Sequence, residues 1–139
     1  MSRILVVDDD PDIRLLLRVE LGADGHQIAE AADGARALAH LAEAETDLVL
    51  LDMMMPGIDG WEVLRRIDVA EAPPIIVITA LSTDRDRHVA EVLELGALEV
   101  VSKPFDPGWL VRLANAVLLV EPDERAEYRR RRLEAARHR

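Results

Sequence analysis

The chain has 139 residues, enough for one domain with a full core, and a net charge of −10 that argues against general nucleic-acid affinity. It holds no cysteine, which excludes disulfides and thiolate metal sites, and only four aromatic residues, so its core must be aliphatic. No apolar run approaches the roughly 18 residues that span a bilayer, and no charged segment followed by an apolar one opens the chain. Neither a membrane span nor a signal peptide is expected, and a cytoplasmic location is the expectation these features fit.

The first strand, about residues 3 to 8, is Ile4-Leu5-Val6-Val7 delivering Asp8, Asp9 and Asp10 at its end. Pro11 then opens a helix with Ile13, Leu16, Leu17, Val19 and Leu21 on one side. One of the three acids is expected to cap that helix, and Asp10 stands in the right place. After Gly22 and Gly25 come a short strand, His26 to Glu30, and a second helix from about Ala35 to Ala44 that turns Ala35, Leu38, Leu41 and Ala42 inward. Residues 47 to 52 form a central strand whose aliphatic run Leu48-Val49-Leu50-Leu51 reads as buried on both faces. It ends on Asp52, and Met55-Pro56-Gly57 turns the chain away. Read alone, Asp52 is either a ligand-crevice residue at a strand's C-terminal end or an ordinary cap or turn aspartate.

A third helix starts near Asp59-Gly60 and carries Val63, Leu64 and Ile67. Ala72-Pro73-Pro74 closes its exit before a fourth strand, 75 to 79, that ends on Thr79 beside Ala80. The fourth helix runs from about Asp84 to Leu95, burying Val89, Val92 and Leu93, with Gly96 as its stop. The fifth strand is Leu98 to Ser102, and the fifth helix starts near Asp106-Pro107 with Leu110, Leu113, Ala114, Val117 and Leu118 inward. Strands alternating with helices predict an α/β fold, a doubly wound parallel sheet of five strands.

Lys103 is the only lysine among 17 basic residues. A compact ammonium on a flexible stem meets a phosphoryl oxygen as a point charge, which a planar guanidinium does less well. If the strands are parallel neighbours, Asp8, Asp9 and Asp52 converge, and such a cluster persists only with shared protons or a cation. Hard oxygen donors on a half-open site suit Mg²⁺, with Mn²⁺ as a substitute. An acid pair, an acceptor acid, a hydroxyl and a lysine, each at a strand's end, form a phosphoryl-transfer constellation.

With VVDDDP, LLDMMMPGIDG, VITA and SKPF in this order and spacing, the chain resembles a response-regulator receiver domain of two-component signalling over residues 3 to about 120. The resemblance implies a flavodoxin-like sheet in the order 2-1-3-4-5 and a switch that catalyses only its own phosphorylation and dephosphorylation. It implies Asp52 as phosphoacceptor for a histidine kinase's phosphohistidine or a phosphotransfer protein. It further implies Asp9, Asp52 and the Met54 carbonyl as Mg²⁺ ligands, with Asp8 acting through water. Thr79, Ala80 and Lys103 become the phosphoryl contacts, and Lys103–Pro104 a cis peptide bond. A downstream protein would read the face made by the fourth helix, fifth strand and fifth helix, and a homodimer is compatible with it.

Val100 departs from the family, which carries an aromatic ring three residues before the lysine, so a rotating ring cannot be carried over to this chain. Competing readings are a haloacid-dehalogenase-type phosphatase, a protein-interaction module working without phosphorylation, and the receiver portion of a larger regulator. The phosphatase chemistry wants a second acid two residues after the nucleophile, where Met54 stands.

The chain is expected to divide into a receiver domain, residues 1–120, and a basic tail, residues 121–139, with no output domain expected. The body carries ten basic and 22 acidic side chains, whereas residues 125 to 139 hold seven arginines and two glutamates. Pro122 near the start, acids Asp123 and Glu124 behind it, and Arg137, His138 and Arg139 at the far end suit a helix dipole. The apolar stripe of that helix is thin: Ala126, Leu133 and Ala136, with Tyr128 nearby. The acidic body disfavours direct DNA binding, so an acidic surface of this chain or of a second copy is the expected contact.

Overall fold

The computed structural model describes residues 2–67, 72–80 and 85–137, with the side chains of residues 85–87 left aside. Five strands, β1 (Arg3–Val7), β2 (Gln27–Ala31), β3 (Leu48–Asp52), β4 (Ile75–Thr79) and β5 (Glu99–Ser102), form one parallel sheet in the order β2-β1-β3-β4-β5. Between and after them run α1 (Pro11–Ala23), α2 (Gly34–Glu43), α3 (Gly60–Arg66), α4 (Arg85–Glu94) and α5 (Pro107–Leu118). The expected start of the fourth helix at Asp84 lies outside the described residues, as do His138 and Arg139. None of the described helices is long and apolar enough to cross a membrane.

The aliphatic runs segregate by the period of two that strand geometry imposes. Ile4, Val6, Leu48, Leu50, Ile76 and Ile78 face Leu17 and Leu21 of α1 and Leu110, Ala114 and Val117 of α5. Leu5, Val7, Val49, Leu51 and Val77 face the other way, toward Ala37, Val63, Leu64 and Val92 of α2, α3 and α4. Every residue of β3 and β4 is buried, because these strands are interior and covered on both faces.

Two helix faces differ from expectation. Val19 is 57 % exposed: it stands two residues, about 200° of rotation, from Leu17 and from Leu21, which take the core side. In α2 the inward stripe is Gly34, Ala37, Leu38 and Leu41, at helical spacing, which turns Ala35 and Ala42 to solvent. Four helix starts share one device. Asp10, Asp33 and Asp106 accept from backbone N–H groups in the first turns of α1, α2 and α5, and at α3 it is Asp59 that accepts, from Glu62 N–H.

Beyond α5 the chain makes a short 3₁₀ turn, Pro122–Glu124, and then α6 (Arg125–Arg137). This helix lies against α4 and the edge strand β5. Ala136 is buried beside Val89 and Leu93, with Leu133 and Val100 packed alongside, while Ala126 is exposed. Ala126 sits outside the inward stripe because Arg125, Tyr128, Arg129 and Arg132 occupy the side facing the body.

Candidate functional site: the carboxylates at the strand ends

Parallel pairing sets Val7 beside Leu51 and Asp52 beside Ile78, so β1, β3 and β4 end at one level. The residues that leave these strands therefore meet. Asp8, Asp9 and Asp52 place one carboxylate oxygen each within 4.8 Å of one another. Asp8 and Asp52 are only 3 % and 4 % exposed, whereas Asp9 faces solvent. Lys103 enters from the end of β5: its Nζ lies 2.8 Å from Asp8 Oδ2 and 3.4 Å from Asp52 Oδ2.

The backbone holds this arrangement from several sides. Asp10 N–H donates to Asp8 Oδ1 at 2.9 Å, and Met54 N–H donates to Asp52 Oδ1 at 3.1 Å. Lys103 N–H donates to the Thr79 carbonyl at 2.9 Å, tying the start of the last loop to the end of β4. The Lys103–Pro104 peptide bond is cis. Behind Asp52 the loop folds so closely that a Cβ on Gly60 would stand 2.6 Å from the Asp52 carbonyl oxygen and from Met53 Cα. Gly57, at φ 75°, takes the left-handed conformation that lets the loop return toward α3.

Burial pushes the Asp52 carboxyl above its ordinary range, and the charge of Asp8 adds to the effect against the Met54 N–H and Lys103. Burial works to lower the Lys103 ammonium, but the hydrogen bond to Asp8 and the charges of both aspartates leave it raised. One cation thus faces three acids at a site where two of the acids are buried. The donor set is all oxygen, it is short of positive charge, and it opens to solvent on the Asp9 side. Such a site fits a hard divalent cation.

Thr79 is buried to 6 % exposure at the end of β4, and Ala80 follows it into solvent. Both line a cavity of about 260 Å³ with Met53, Met54, Trp61, His88 and Val92. The Trp61 and His88 rings stand 6.4 Å apart across it. Val100 packs between the sheet's core and the Val89, Leu93 and Ala136 cluster under α6.

Two participants escape sequence reasoning. Arg14 donates to the Asp8 carbonyl at 2.7 Å while its Nε pairs with Glu30 at 3.1 Å, and an arginine on an amphipathic helix carries no signal for that. Glu99, at 9 % exposure, takes Tyr128 and Arg132 as partners. The signal available for it was a lone acid in the otherwise apolar run of a strand.

The profile of the response regulator receiver domain family matches residues 4–115. The chain belongs to this family, and its class is that of the two-component response regulators. It is 44 % identical over 117 residues to the transcriptional regulatory protein ResD of Bacillus subtilis, covering 84 % of this chain and 48 % of that protein. It is 42 % identical over 126 residues to the DNA-binding response regulator MtrA of Mycolicibacterium smegmatis, covering 91 % and 54 %. The chain therefore spans about half the length of the curated relatives it matches. Among solved structures, the receiver domain of the Francisella response regulator 1452 superposes with a TM-score of 0.78 at 27 % identity, covering 85 % of this chain and 97 % of that one. The beryllofluoride-activated receiver domain of DrrB gives 0.75 at 31 % identity, covering 85 % and 97 %.

Proposed function

We propose that this chain is a phosphorylation switch in which Asp52 accepts a phosphoryl group from the phosphohistidine of a sensor kinase or a phosphotransfer protein. An Asp52 carboxylate oxygen attacks phosphorus, the P–N bond breaks, and the imidazole leaves with a proton taken from solvent. A carboxylate is a weak nucleophile, so positioning and charge neutralisation supply the acceleration. The single observation that carries this reading is the convergence of three carboxylates and the chain's sole lysine at the ends of three strands.

Asp9 and Asp52 would hold Mg²⁺ by their carboxylates and Met54 by its backbone carbonyl, with Asp8 acting through a water. When bound, the ion neutralises charge that builds on the phosphoryl oxygens. The Thr79 hydroxyl and the Ala80 N–H would donate to two of those oxygens, and the Lys103 ammonium would pair with the third after leaving Asp8. Catalysis is then confined to the chain's own modification and its hydrolysis. The setting is the cytoplasm, and the output is a changed contact on the face of α4, β5 and α5.

A second reading, the receiver portion of a larger regulator, is favoured by the relatives' length, since each extends well beyond the matched region. Direct DNA contact by this chain draws no support from α6, because four of its arginines are engaged with the acidic body. The test is mass spectrometry of the full chain after treatment with a small phosphodonor, with and without Mg²⁺. One added phosphoryl group is expected only with Mg²⁺ and not at all in Asp52→Asn. Stoichiometric incorporation in Asp52→Asn would refute the assignment.

A further inference from the structure

The outer side of α4 and β5 is occupied by the chain itself, and the chemistry of that contact is unlike the core. α1 and α5 are held by fully buried leucine, valine and alanine. By contrast, α6 contributes one buried alanine and a half-buried leucine and tyrosine. The rest of its grip is charged. Arg132 Nε donates to Glu99 at 2.8 Å, the Tyr128 hydroxyl donates to the other Glu99 oxygen, and Arg137 pairs with Glu94. Arg125 and Arg129 donate to the carbonyls of Ala72 and Gly96 at 3.3 and 3.4 Å. An interface built from charged hydrogen bonds over little apolar area closes with definite geometry, and when it opens water takes over the partners of its charges, the buried Glu99 included.

Its position ties it to the carboxylate site. The two β5 residues that α6 grips are Glu99 and Val100, and the strand that holds them runs straight into Lys103. Lys103 is bound at its N–H to the end of β4 and at its Nζ to Asp8 and Asp52. Drawing the ammonium toward a phosphoryl group pulls on the strand that Tyr128 and Arg132 fit in its present place. Val100 is too small to absorb that shift by swinging a ring. A shift of that strand would therefore reach the helix roofing it.

We propose that α6 is a releasable cover on the α4–β5 face, and that its closure and the phosphorylation of Asp52 oppose one another. The proposal rests on the phosphoacceptor reading above. The covered face offers two acids, Glu94 and Glu99, around an apolar strip of Val89, Leu93 and Val100. The matching probe is a basic helix with the pattern of α6 itself. A synthetic, fluorescently labelled peptide of residues 122–139 serves as that probe against the full chain. In the closed state the tethered helix competes with it at an effective concentration on the order of millimolar.

Wild type should bind the peptide weakly, and Mg²⁺ with beryllofluoride, a phosphoryl mimic, should tighten binding about tenfold. The Tyr128→Phe/Arg132→Gln variant should reach a similar affinity without the mimic, and adding Glu99→Gln to it should abolish the gain. By linkage, loosening α6 must also tighten mimic binding by the same factor by which the mimic favours release. Occupancy by the mimic is read separately from its ¹⁹F NMR signal. Unchanged peptide affinity in the double variant overturns the cover. A bound mimic that leaves peptide affinity unchanged overturns the opposition while the acceptor reading stands. No bound mimic overturns the acceptor reading and the opposition together, and the double variant still decides the cover on its own.

Discussion

The strand-end site and the outer side of α6 both join arginine or lysine to carboxylates, yet their environments drive them in opposite directions. At the strand ends three acids converge and one ammonium contacts the two that are buried, and burial holds the Asp52 carboxyl above its ordinary range. On the outer side of α6, Glu127 is half in solvent and flanked by two arginines. The hydrogen bond from Arg130 holds its carboxyl down to about 2, with Arg131 adding to the effect. A buried site short of positive charge keeps a demand for another cation. A solvated site with charge to spare has no such demand.

The strongest way to break this comparison is to supply the missing charge. Mg²⁺ at ~100 times its dissociation constant should stabilise the full chain by ~2.7 kcal/mol, read from thermal or urea melts. Asp9→Asn should remove most of that gain. A gain that survives in Asp9→Asn would mean that the cation sits elsewhere.

Removing a buried negative charge should have a smaller effect of the same sign. With its folded-state value raised above the unfolded one, the Asp52 carboxyl favours the fold below the unfolded value, and this contribution is lost as pH rises through the folded value. At neutral pH the ionised group is therefore a cost, and Asp52→Asn without metal should stabilise by about 1 kcal/mol, roughly 3 to 5 °C in Tm. The advantage should shrink as the pH is lowered through that window. A variant less stable than wild type at pH 7 would show that the Lys103 and Met54 contacts outweigh the burial.

The smallest effect belongs to the α6 side. Arg137 and Glu94 are both more than half in solvent or close to it, at 58 % and 50 % side-chain exposure. Arg137→Ala should cost no more than about 0.5 kcal/mol at roughly 0.15 M salt, where the Debye length is about 8 Å, and nothing measurable near 1 M. A cost above 1 kcal/mol that ignores salt would erase the contrast between the two regions.

Most of the strand-end site was legible because each of its members stands at the end of an apolar run, and parallel pairing brings such ends together whatever the helices do. The sequence placed Asp8, Asp9, Asp52, Thr79 and Lys103 at strand ends, and the sheet order then set their separations. Faces of helices were less legible. Alanine carries little hydrophobic contrast, so Ala37 rather than Ala35 or Ala42 was decided by how α2 rolls on the sheet.

Local pattern thus determined by itself the order of elements, the parallel sheet and the acids it gathers, since strand period and turn chemistry act over a few residues. The seat of α6 was decided only in the tertiary structure. Its inward side is arginine and tyrosine rather than leucine, so a search for apolar periodicity passes over it. Glu99 finds its partners 29 and 33 residues later in the chain. A buried carboxylate takes whichever donors the folded chain brings within reach, and nothing in the run Glu99-Val100-Val101 says which those will be.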